Sequence, residues 1–242
     1  VVKARLESGM LTARTMAKLY SNYRQIPAAQ RRARLSSDLR TVLETNPDLL
    51  GVWSIWEPGA LDGADAGYVN SPGSDATGRF LSYWNRVGGV HLEACTDYTS
   101  NGESGQYYNV PLKTAKEYVT NPVVYKINNQ DVMVVSLSVP VIVDSAVKGV
   151  IGVDMSMESL QRMLADIKPY ETGYSFLMSN NATMASHPAK DVVGRKFAEI
   201  RPEIEKKFGI TGNVREGKAS TYEVAALGTG LSSVVVIEPF RV

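Results

Sequence analysis

The chain has 242 residues, 44% of them hydrophobic, with 26 lysines and arginines against 25 aspartates and glutamates. That is enough apolar material for one large domain or two small ones. Arg31, Arg32 and Arg34 form the only dense basic run, so the chain lacks the extended basic face that nucleic-acid binding needs. The lone Cys95 excludes an internal disulfide and leaves a zinc cluster without ligands. No apolar run approaches the roughly 20 residues that span a bilayer.

From Leu6, apolar residues recur near helical spacing as Leu6, Met10, Ala13, Ala17 and Tyr20, with no breaker between Gly9 and Pro27. This predicts a long first helix with a break near Pro27. Ser36 or Ser37 can cap a second helical stretch through Leu39, Val42 and Leu43, which Pro47 ends. Short strands bounded by turn residues follow at 50–56, 80–84, 107–110, 123–127, 132–143 and 147–153. Asn128-Asn129 and Asp144-Ser145 separate the last three, and Asn and Asp tolerate positive φ, so those strands form two antiparallel hairpins. A helix is predicted over 158–167, capped by Ser156, with Leu160, Met163, Leu164 and Ile167 on one face. A second, smaller strand set (174–178, 183–186, 219–225 and 232–237) carries a helix around 197–208. The chain opens inside a helical pattern and closes inside an apolar run, which reads as a segment of a longer protein.

The segment Thr77-Gly78-Arg79-Phe80-Leu81-Ser82-Tyr83-Trp84-Asn85-Arg86 resembles the pocket segment of double Cache domains, the sensor modules of bacterial chemoreceptors and some sensor kinases. Val139-Pro140-Val141-Ile142-Val143 followed by Lys148-Gly149-Val150-Ile151-Gly152-Val153-Asp154 is similar to that family's hairpin ending in a pocket aspartate. His187-Pro188 with Val193-Gly194-Arg195 resembles its membrane-proximal module. The resemblance implies an α+β fold: a long N-terminal helical segment over 1–48, a ligand-binding membrane-distal module over 49–168 and a membrane-proximal module over 169–242. Each module is PAS-like with a central antiparallel sheet, and the two are stacked. It also implies the periplasmic part of an inner-membrane chemoreceptor, with a sensor histidine kinase as the alternative. Transmembrane segments would lie outside this chain, and a homodimer through the first helix is compatible with its pattern.

Six residues are candidates for the ligand site. Trp84 offers an indole wall for a flat or cationic ligand, with a core aromatic as the alternative. Asn85 offers a carboxamide donor and acceptor to the edge of a heterocycle. Asp154 ends a glycine-flanked apolar strand; it can accept ligand N–H groups, or cap the helix that starts near Ser156. Tyr107 and Tyr108 alternate across the expected strand, so one faces the ligand, and the family pattern favours Tyr108. Tyr125 and Ser136 complete the set, each with a role in the core as the alternative.

Departures from the resemblance narrow the ligand. Amino-acid-binding members place an arginine where Ser82 stands and an aspartate where Tyr125 stands, so a carboxylate clamp is absent. Amines need several carboxylates or an aromatic cage, and the acid that commonly precedes the proline is Asn121 here. With Asp154 as the one remaining acid, a purine or its oxidation product is expected first and a small amine second. Catalysis is not expected: His91 and His187 stand in no nucleophile, metalloprotease or phosphate-loop motif, and Gly149-x-x-Gly152 is better explained by close strand packing. No cofactor is implied.

Overall fold

The computed structural model describes residues 1–227 and 230–242, and the chain divides into two compact units, Arg5–Ser156 and Met157–Val242 with Val1–Ala4. Helix α1 (Val2–Tyr20) buries Leu6, Met10, Ala13, Ala17 and Tyr20, the stripe its spacing predicts. The break falls at Pro27 as expected, but α2 (Ala28–Thr45) starts directly after it. Ser36 and Ser37 therefore lie inside a helix and cap nothing; the fixed φ of Pro27 sets the start instead.

The first unit is built on one seven-stranded antiparallel sheet: β1 (Gly51–Trp56), β2 (Ser82–Asn85), β3 (His91–Ala94), β4 (Tyr118–Val119), β5 (Val123–Ile127), β6 (Gln130–Val143) and β7 (Ala146–Ser156). The order is β3-β2-β1-β7-β6-β4, with β5 also on β6. Asn128, Asn129, Asp144 and Ser145 all have positive φ, the backbone that two-residue hairpin turns require. Strand alternation gives the sheet two faces. One presents Val52, Trp84, Leu137, Val153 and Met155; α1 packs on it, since a Cβ at Gly9 would meet Leu137, Val153 and Met155. The other presents Trp53, Tyr83, Ser136 and Asp154.

Residues 107–110, expected as a strand, belong to helix α3 (Gln106–Thr114), which ends at Ala115 in the left-handed conformation. The β-favouring Tyr107-Tyr108-Val110 pattern is overridden by tertiary packing. In a helix both tyrosines turn inward, and both are buried. The basic run is spent internally. Arg31 bonds the carbonyls of Ile26 and Leu61, Arg32 is buried against Asp62 and Asp65, and Arg34 pairs with Asp38 one turn on.

The second unit holds α4 (Met157–Ala165), the pairs β8 (Leu177–Met178) with β9 (Met184–Ser186) and β10 (Ser220–Ala225) with β11 (Ser232–Ile237), and three short helices. These are α5 (Phe197–Ile200), α6 (Pro202–Phe208) and α7 (Ile210–Glu216); Pro202 splits the single helix expected over 197–208. Its core gathers Met184, Phe197, Ile204, Ile210 and Tyr222. His187 is buried there. Its Nδ1 accepts the Ala189 N–H at 3.0 Å, and desolvation lowers its pKa, which keeps it neutral.

Candidate functional site: a cavity around Asp154

On the face away from α1, a cavity of about 470 Å³, open mouth included, is bounded by the sheet, by Tyr107 of α3 and by residues 93–97. Asp154 lies at its base. It pairs in register with Gly51 on one side and Ser136 on the other. Oδ1 accepts the Trp53 indole N–H at 2.9 Å and the Ser136 hydroxyl at 2.7 Å. Both close bonds fall on the same oxygen, and the Tyr83 hydroxyl approaches the carboxylate as a third donor at longer range. No lysine or arginine among the described residues pairs with the carboxylate. Desolvation pushes its pKa up to about 6, against the opposing pull of the Ser136, Trp53 and Tyr83 groups.

Two glycines make this convergence possible. A Cβ at Gly152 would stand 2.2 Å from the Trp53 ring, and one at Gly51 would stand 2.3 Å from the Tyr83 ring. Each aromatic ring thus lies flat across a neighbouring strand where a side chain is missing, and each directs its polar end toward Asp154. The Tyr83 hydroxyl is buried, makes no close hydrogen bond among the described residues, and is directed at the Asp154 carboxylate, whose ionised form it favours. Tyr107 packs edge-on against Trp53 at 4.9 Å and against Tyr125 at 6.0 Å between ring centroids, a favoured aromatic geometry.

Charge enters from the rim. Glu93 and Asp97 line the cavity with Asp154, against the single cation Lys126, which pairs with Asp131 at 3.0 Å. Desolvation raises the pKa of Asp97. Glu93 accepts from the Asn85 amide at 3.1 Å and from the Asn128 backbone N–H at 3.0 Å, which anchors the β5–β6 turn to the cavity edge.

Of the six sequence candidates, Tyr125, Ser136 and Asp154 line this cavity. Trp84 does not. Its neighbour Tyr83 faces the cavity, so alternation turns Trp84 to the opposite face, where its indole donates to Ser36 of α2 at 2.9 Å and Arg40 lies over its ring. Asn85 shares the face of Tyr83 but is fully buried one step behind the wall, its amide spent on Glu93 and the Val87 N–H. Tyr108 bonds Glu57 and Arg79 beside Tyr98, and Tyr107 takes the cavity position in its place. Trp53, Tyr83, Glu93 and Asp97 were not among the candidates. Period-two counting back from Asn85 would have selected Tyr83 over Trp84, and glycine opposite an aromatic on a paired strand was the signal for Trp53.

A family model described as methyl-accepting chemotaxis protein-like, first PDC sensor domain, matches residues 35–162, just over half of the chain. The chain belongs to that family of sensor domains. The matched range takes in β1 to β7 and every residue of the cavity. The PDC sensor domain is 33% identical over 152 residues to the methyl-accepting chemotaxis protein TlpQ of Pseudomonas aeruginosa, covering 58% of this chain and 21% of TlpQ. The chain therefore spans about a fifth of that curated relative. Among solved structures, the extracellular domain of mmHK1S-Z3, named as a histidine kinase, superposes with a TM-score of 0.86 at 32% identity, over 98% of this chain and 83% of that one. The ligand-binding domain of the Pseudomonas fluorescens chemoreceptor CtaA, in complex with L-serine, shares the fold of the PDC sensor domain. Its TM-score is 0.59 at 16% identity, over 96% of this chain and 81% of that one.

Proposed function

We propose that this chain is the extracytoplasmic sensor of a chemotaxis receptor, and that its ligand is a small organic amine bound as a cation in the cavity around Asp154. The observation that carries the ligand class is the buried carboxylate itself. Asp154 is walled by Trp53, Tyr83, Tyr107 and Tyr125, takes both of its close hydrogen bonds on Oδ1, and has no cationic partner among the described residues. A buried charge without a counter-charge is costly; a ligand ammonium supplies one, and the aromatic faces around it add cation–π attraction. Family membership supports the sensor role. The TlpQ relationship supports the chemoreceptor context, with a sensor kinase as the other output.

The sequence favoured a purine because Asp154 was the one acid in sight. Glu93 and Asp97 on the same cavity remove that premise and move the amine to first place. A planar N–H heterocycle is the second reading, favoured by the three tyrosine rings and the Oδ2 acceptor. An α-amino acid fits least well, since the only lining cation, Lys126, is already paired with Asp131.

A thermal-shift screen of the purified chain against alkylamines, aromatic amines, purines and amino acids tests this. Ligand at about 100 times its Kd stabilises by about 2.7 kcal/mol, which for a chain of this size raises Tm by roughly 5–11 °C. The rise is expected with amines and is lost in Asp154→Ala. A rise confined to purines installs the second reading, and a rise confined to amino acids overturns both.

A further inference from the structure

Asp154 keeps 6% of its surface exposed, and Trp53, Tyr83 and Tyr107 around it are buried as well, so a ligand reaches the carboxylate only when one wall of the cavity gives way. Trp53 and Tyr83 stand on β1 and β2, inner strands paired on both sides, and Tyr107 is packed edge-on against Trp53. The fourth wall is held differently. β5, which carries Tyr125, pairs with β6 alone, and the turn end of that hairpin, from Asn128 to Asp131, is exposed.

β3 and β5 lie at opposite margins of the sheet, with β2, β1, β7 and β6 between them, yet they meet across the cavity. Glu93 of β3 accepts the Asn128 backbone N–H at 3.0 Å on one carboxylate oxygen and the buried Asn85 amide at 3.1 Å on the other. The Asn128 side-chain amide donates in turn to the Val87 carbonyl, in the turn between β2 and β3, at 2.9 Å. Glycine makes room for that reach: a Cβ at Gly88 would stand 2.5 Å from the Asn128 amide nitrogen. Tyr125 adds one tie, its hydroxyl donating to the Ser104 carbonyl at 3.0 Å. The sheet thus closes round the cavity through a few side-chain hydrogen bonds instead of a ladder. The exposed lining residues, Thr96 and Asp97 after β3 and Lys126 on β5, frame the opening beside this clasp.

We propose that the clasp of Glu93, Asn128 and Val87 is the gate of the ligand cavity, which parts to admit an amine to Asp154 and recloses over it. Glu93 and Asn128 are then positioning residues for the β5 wall. This rests on the cavity being the ligand site. Isolated hydrogen bonds to an exposed turn contribute little net stability, so they break far more readily than the paired inner strands, and hairpin and loop motions of this kind gate access to binding sites. A gate that is shut in the free and the occupied protein alike slows entry and exit by the same factor. It therefore sets how fast the sensor responds and leaves affinity to Asp154 and the aromatic walls.

Stopped-flow mixing with 2-phenylethylamine at pH 7.5, followed by the fluorescence that Trp53 contributes from the cavity wall, tests this in the wild type, Asn128→Gly and Glu93→Asp. Glycine accepts the positive φ of Asn128 and keeps its backbone N–H, so only the bond to Val87 is lost. Aspartate keeps the charge of Glu93 and withdraws the carboxylate by one methylene. Each variant is expected to raise the association and dissociation rate constants together, by roughly three- to tenfold, with Kd held within about twofold. Hydrogen exchange of the ligand-free protein should quicken over 123–128 in both variants and stay unchanged over β1 and β7. A change in Kd carried by dissociation alone makes these residues ligand contacts or packing groups and overturns the gate, as do unaltered rates or unaltered exchange over 123–128 in both variants. Asp154→Ala separates the two levels. If it abolishes binding while both clasp variants exchange the amine at wild-type rates, the gate alone fails; if it binds the amine like the wild type, or the wild type does not bind it, the cavity reading fails and takes this inference with it.

Discussion

The two faces of the seven-stranded sheet are made from the same strands and do opposite work. Toward α1 and α2 the sheet presents Leu137, Ile151, Val153 and Met155, all fully buried, and its polar contact there, Trp84 to Ser36, is completed between protein groups. Toward α3 it presents Ser136, Asp154, Tyr83 and Trp53, whose hydrogen-bonding capacity is left partly unmet. A single strand carries both characters, since Tyr83 belongs to the second face and Trp84 to the first. Dense packing on one side holds the strand positions fixed, and a strand so fixed can keep uncompensated polar atoms on the other.

Four substitutions probe that contrast. The largest effect is expected from Leu137→Ala on the packed face, which removes a fully buried side chain and should cost about 2–5 kcal/mol. Chemical denaturation measures it, and calorimetry on the fraction still folded should find ligand affinity near that of the wild type. Next is Gly152→Ala, where the added Cβ meets the Trp53 ring at 2.2 Å. Overpacking of this kind costs about 1–3 kcal/mol; because the indole must leave Asp154, binding should fall with it, and retained affinity would show that Trp53 does not hold the carboxylate.

Asp154→Asn comes third and has the opposite sign. The folded carboxyl has a pKa of about 6 against an ordinary value of 3.8, so ionising it penalises the fold. The penalty is absent below pH 4 or so, grows as pH rises through 6, and amounts to at most about 3 kcal/mol above that. The asparagine variant, which keeps an acceptor for Trp53 and Ser136, should match the wild type near pH 4 and exceed it in ligand-free stability near pH 7.5, as thermal unfolding across pH will record. The same titration governs the ligand: affinity for an amine should fall about tenfold per unit once pH drops below 6 or so. Smallest is Ser36→Ala, which removes the partner of Trp84 and should cost about 1 kcal/mol with no change in affinity. A change in affinity there would break the division between the faces.

Much of this arrangement was legible in local sequence. Asn128-Asn129 and Asp144-Ser145 placed the two hairpins because few residues other than glycine accept positive φ, and Pro27 placed the helix break. Tyr125, Ser136 and Asp154 could be read as site candidates because each lies on one of those hairpin strands. What escaped was non-local. The helix at 106–114 runs against the β preference of its tyrosines because burying both was worth more than either alone. Adjacent residues on a strand cannot share a face, so Trp84 and Asn85 could never both have faced one ligand, and only the pairing of β2 with β1 shows which parity wins. Glu93 and Asp97 reach the cavity by way of a loop and an edge strand whose position no periodicity encodes.

The missing side chains at Gly51 and Gly152 bear on how readily this sensor could change its taste. The space that Tyr83 and Trp53 occupy lies above backbone, and no strand pairing depends on either ring. Exchanging Tyr83 for a smaller residue would enlarge the chamber from within while every ladder hydrogen bond stayed in place. The cavity can thus be widened without touching the sheet's ladder, at the packing cost of about 3–5 kcal/mol that truncating a buried aromatic carries.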